Sequence, residues 1–162
     1  MSGEILTTYL NDHLAGSVAA LQLVDRLVGW SRGTEREKIF TALRVEIEKD
    51  QEVVKQLLAT MDAKPSKVRR AAAWLTEKIG EAKLEVDDGG TGQLRLLEAL
   101  EALGLGIQGK LGLWRALETA SAHTPALRHL DLPSLERRAH DQFERVEVQR
   151  LQVARSAFGA LR

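Results

Sequence analysis

Cysteine is absent from the chain, which excludes disulfides, thiol nucleophiles and cysteine-ligated zinc or iron–sulfur centres. Any metal would rest on His and carboxylate ligands. Three prolines and 4% aromatic residues leave few helix breakers and little material for a β-rich core. Neither sign of charge prevails, since 23 Lys and Arg stand against 23 Asp and Glu. Composition therefore supplies no pull toward nucleic acid or an acidic membrane. No apolar run reaches the ~20 residues that a bilayer needs, because Arg95, Glu98, Glu101, Lys110 and Arg115 interrupt the most apolar stretch. The opening MSGEILTTYL has neither the basic start nor the apolar core of a signal peptide. These absences lead to the expectation of a cytoplasmic protein with no nucleic-acid and no membrane partner. A length of 162 residues suits one domain spanning 1–162.

What the chain does contain is Ala, Leu, Glu, Arg and Gln at helical spacing. Over 4–30, Leu6, Tyr9, Leu10, Leu21, Val24 and Leu27 share one face, as a core-facing helix requires. Thr34 and Glu37 then have the spacing of a capping box. A second helix over 35–62 carries Phe40, Leu43, Ile47, Val54 and Leu57 inward and stops ahead of Pro65. A shorter amphipathic helix is predicted over 66–84, followed by an acidic, glycine-rich turn. The third long helix covers 93–119, and Thr124-Pro125 suggests a short helical turn. Asp131-Leu132-Pro133 opens the fourth long helix, over 132–159. The expected fold class is all-α. A short link, a long link carrying its own helix and a moderate link join the four long helices. The long crossover lets the third helix run parallel to the second.

Five polar residues interrupt the apolar stripes. On a wheel of about 100° per residue, His13 and Asp50 fall centrally on the first and second helices, with Glu46 one turn before Asp50. Arg150 falls within the stripe of the fourth helix and Glu101 at the margin of the third. His13 and Asp50 stand almost equally far from the turn near Arg32, which predicts that they share a layer. Glu101 and Arg150 are expected at similar heights, about two turns away. A buried charge without a partner is costly, so His13 is expected to pair with Asp50, and Arg150 with Glu101 or Glu46.

Several motif matches have plainer readings. Residues 104–110, GLGIQGK, fit the spacing of nucleotide-binding loops but lie in a helical pattern with Leu111 where a hydroxyl belongs. Their glycines, with Gly112, are expected to permit close helix packing or a bend. The basic residues beside Trp74 read as a solvated face, Asp87-Asp88 as a turn, and His123 and His129 as exposed loop residues. No Ser/His/Asp or nucleophile-elbow arrangement can be assembled. The broad apolar face of the third helix, which includes Trp114, points to a homodimer.

The architecture resembles the ferritin-like four-helix-bundle superfamily, and the segments YLNDHLAG (9–16) and GIQGKLGLW (106–114) are similar to bacterial ferritin-like proteins with a degenerate metal site. That resemblance implies a centre of inward Glu residues and Glu-x-x-His pairs that holds iron or manganese. The present chain contains no Glu-x-x-His and places Phe143 and Val146 near the level where ligands belong. A buried Arg150 would oppose a dication. The reading is therefore a non-enzymatic bundle without a cofactor, whose polar cluster His13, Glu46, Asp50, Glu101 and Arg150 replaces an intact di-iron site. Two alternatives stand beside it: a metal-binding protein or oxidoreductase using His13, Glu46, Asp50 and Glu101 for iron or manganese, and a small-ligand or acid–base site at His13 and Asp50. An elongated cavity beside His13 would favour the last.

Overall fold

A computed structural model describes residues 2–61 and 92–159. They form four long helices: α1 (Ser2–Trp30), α2 (Glu35–Thr60), α3 (Gln93–Ser121) and α4 (Leu132–Phe158). A short 3-10 turn, Pro125–Leu127, lies between the last two. No strand occurs among the described residues. The expected helix at 66–84, the acidic turn and Trp74 lie outside them.

Local chemistry accounts for the helix ends. Gly33 adopts φ +77°, the left-handed backbone that glycine supplies at no steric cost, and so lets α1 turn back into α2. The expected capping box does not form, and its two side chains bond to the turn before α2 instead. Thr34 Oγ1 donates back to the Ser31 carbonyl at 2.7 Å, while the Glu37 carboxylate accepts from Gly33 N at 2.7 Å. At the head of α4, Asp131 Oδ1 accepts from Ser134 N at 3.1 Å, satisfying an otherwise free amide.

Around the bundle the neighbours are α1 with α2, α2 with α4, α4 with α3, and α3 with α1. The core has two layers. One joins Leu10 and Leu14 to Leu57, Trp114, Leu127 and Leu135. The other joins Leu23 and Leu27 to Phe40, Leu43, Leu100 and Val146. Residue numbers rise from the second layer to the first along α2 and α3, and fall along α1 and α4. Helices α2 and α3 thus run in one direction on opposite corners, and every adjacent pair is antiparallel. Between the two layers lies a polar middle.

Candidate functional site: an ion-pair network beneath an apolar cleft

The stripe of α2 runs Leu43, Ile47, Asp50, Val54, Leu57, and that of α4 runs Leu135, Ala139, Gln142, Val146, Gln149, Val153. Alternating steps of three and four residues keep such positions on one face, so Asp50 and Gln142 must meet near the axis. They are 2% and 0% exposed. Gln142 Nε2 donates to Asp50 Oδ2 and to Glu46 Oε2, each at 3.2 Å.

Cations close around this pair. Lys110 Nζ from α3 donates to Asp50 Oδ2 at 2.5 Å and also to Gln142 Oε1. Arg138 Nε donates to Asp50 Oδ1 at 2.8 Å, and its Nη2 reaches the same oxygen. Arg145 bonds to Glu46 and, at 3.3 Å, to Asp141. Burial pushes the Lys110 ammonium below its ordinary pKa, and the Asp50 carboxylate counteracts part of that shift. Burial alone would raise Glu46, but hydrogen bonds from Arg145 and Gln142, with the Arg145 charge, hold it below the usual carboxylate value.

Of the five expected polar residues, the structure brings only Glu46 and Asp50 into this network. His13 does not bond to Asp50. The side chains of Ser17 and Gln51 bond at 3.0 Å, and Asp25 bonds to Arg44 at 2.6 Å. That register puts His13 opposite Lys55, ~7 Å along the helix from Asp50. His13 instead makes an edge-on contact with Tyr9, with ring centroids 4.6 Å apart. Its imidazole pKa is lowered by burial and partly restored by Asp12.

Arg150 is likewise not a buried central cation. It sits beside the Val146–Gln149–Val153 stripe, where its long stem carries the guanidinium outward to Glu147 at 2.7 Å and Glu101 at 3.4 Å. The heptad-like spacing of α4 marks Gln142 as the inward residue, and the wheel reading overlooked it. Lys110, Arg138 and Arg145 were equally missed as partners, because each reaches inward from the shoulder of a stripe. For such residues a count of turns gives height but not direction.

The carboxylates do not fit the iron or manganese ligand set. Both Asp50 oxygens accept from cations, Glu46 is held by Arg145, and His13 and Glu101 lie outside the network. Among the described residues no group of three or more His, Asp or Glu is placed to hold a metal.

On the α1 side of the network the middle layer is open. A cleft of about 780 Å³ lies between α1, α2 and α3, within the size range of small-molecule sites. Its walls are mainly apolar, including Leu23, Ile47, Leu103 and Trp114, and its polar contributors include His13, Asp50 and Lys110. Three glycines line it: Gly16, Gly106 and Gly109. A Cβ added at any of them would meet nothing within 4 Å. Close packing, one of the two roles expected of the α3 glycines, is therefore not that of Gly106, Gly109 or Gly112; of the four, Gly104 alone approaches a neighbour, with Phe143 at 3.6 Å from such a Cβ. Glycine inside a helix costs about 0.8–1 kcal/mol relative to alanine, and at these three positions the absent side chain leaves open space. Comparison of the chain with protein-family models, curated proteins and solved structures finds no match.

Proposed function

We propose that this chain is a ferritin-like helical bundle that binds a small, largely apolar molecule in the cleft between α1 and α3, and that the ion-pair network stands where the superfamily's metal centre would lie. The observation that carries the reading is the cleft itself: about 780 Å³, walled by apolar side chains and lined by three helix-interior glycines. The parallel course of α2 and α3 supports the ferritin-like comparison, since their facing ends lie at opposite ends of the bundle and call for a long crossover. The neutralised carboxylates favour binding over redox chemistry, because Lys110 and Arg138 already occupy Asp50.

A neutral fluorescent probe, N-phenyl-1-naphthylamine, tests this directly. Saturable binding of one probe per chain is expected, with affinity lost in Gly106→Phe and Gly109→Phe, whose rings would enter the open space. Absence of saturable binding to the folded wild-type protein would overturn the reading. So would unchanged affinity in both phenylalanine variants.

A further inference from the structure

Three large apolar side chains stand in solvent along α4: Val148 is 50% exposed, Leu151 51% and Phe158 60%. Glu144, Val148, Leu151, Arg155 and Phe158 follow one another by four, three, four and three residues, the spacing of a coiled-coil seam. At about 100° per residue this line lies on the side of α4 opposite Ala139, Val146 and Val153, which the core buries. The helix thus carries two apolar stripes, and the bundle uses one of them.

The two charges on the outer line are unspent. Glu144 and Arg155 are exposed, and neither side chain has an ion-pair or hydrogen-bond partner among the described residues. Their neighbours differ: Asp141 is held by Arg145 at 3.3 Å, and Glu147 by Arg150 at 2.7 Å. The apolar face of α3, which in the sequence points to a homodimer, is largely spent inside the bundle, with Leu103, Ile107, Leu111, Leu113 and Trp114 buried.

The outer line of α4 is self-complementary in one orientation. Set antiparallel to a second copy, with the twofold axis crossing between Gln149 and Arg150, it brings Val148 against Leu151 of the copy. The same register brings Glu144 against Arg155 of the copy, and the axis repeats both contacts. The two apolar contacts are then flanked on either side by an ion pair. Phe158 falls opposite Asp141, whose carboxylate is turned toward Arg145. A parallel pair would instead set Glu144 against Glu144 and Arg155 against Arg155, and like charges face to face are costly. The antiparallel overlap runs from Asp141 to Phe158, about 27 Å of helix. A single helix pair of that length lies at the small end of specific interfaces, which fits a transient dimer.

We infer that the chain self-associates through the outer face of α4, as an antiparallel twofold dimer in which Val148 packs on Leu151 and Glu144 pairs with Arg155 of the second copy. Helix α1 stands on the corner of the bundle diagonal to α4, so this face and the cleft are independent.

Sedimentation equilibrium of the full chain tests this over roughly 1 to 300 µM, a span that reports dissociation constants in the micromolar range. A monomer–dimer equilibrium within that range is expected. Glu144→Arg or Arg155→Glu alone sets like charges face to face at both symmetric contacts, and should weaken the dimer about tenfold or more. Combining the two substitutions restores opposite charges, and the dimer should return to within about threefold of wild type. Leu151→Ser should leave monomer throughout. All three positions are exposed, so the substitutions spare the core, and circular dichroism checks that each variant is folded. A wild-type chain that stays monomeric across the range would overturn the inference. So would a dimer indifferent to both single reversals, which would lie on another face. A double variant no tighter than the single ones would exclude this register.

Discussion

On the α4 side of Asp50, carboxylate, amide, ammonium and guanidinium groups meet one another within the protein. On the α1 side of the same layer, glycines and aliphatic side chains border open space, and His13 meets the ring of Tyr9 edge-on. Both sides interrupt a hydrophobic core, for opposite reasons. A buried charge demands a partner at a set distance, so the polar flank is closed by its own chemistry. A glycine demands nothing, so the other flank stays open unless a neighbour fills it. Polar residues inside a bundle and empty space inside a bundle are therefore separate signals, although they share a layer here.

The contrast can be broken most forcefully at Asp50. Asp50→Ala strands the Lys110 and Arg138 cations, and removal of one member of a buried pair costs about 3–5 kcal/mol. Urea unfolding should show a loss of that size, and a loss below about 1 kcal/mol would mean that water already solvates the network. On the open flank the sign should reverse. Gly106→Ala adds a methyl where nothing lies within 4 Å, and should stabilise the protein by about 0.4–1 kcal/mol. Destabilisation there would show that the cleft wall cannot accept even one carbon.

Two smaller effects sharpen the comparison. Burial lowers the His13 pKa, so between its folded value and the unfolded value near 6.5 the unfolded chain holds more protons. Stability should fall as pH drops through that window and should level off above it. The midpoint of the His13 ring resonances by NMR should lie below 6.5, and the pH dependence should diminish in His13→Gln. At the other extreme Arg150→Ala removes a solvent-facing pair with Glu147 and Glu101 and should leave the urea midpoint unchanged within error. A substantial shift would restore Arg150 to the centre of the bundle.

Much of this was readable along the chain. Helical spacing placed the four long helices to within two residues at each end, because apolar stripes, Asp131 and the turn at Gly33 act locally. Asp50 and Glu46 were legible as inward polar groups for the same reason. The height of Arg150 beside Glu101 followed from counting turns; its outward direction did not, since a long side chain leans away from the Cα that anchors it. His13 was assigned to the layer of Asp50 from distances along the chain to the turn, whereas the observed register is offset by more than a turn.

The sequence by itself determined the all-helical class, the inward faces and the presence of charge among the apolar residues, because these depend on periodicity within single helices. Only the tertiary structure decided which charges meet and where space remains. Lys110, Arg138 and Gln142 lie 60, 88 and 92 residues from Asp50, and their convergence is fixed by the register between helices. The cleft arises in the same way: no residue encodes open space, which exists only where the walls that α1, α2 and α3 contribute stand apart.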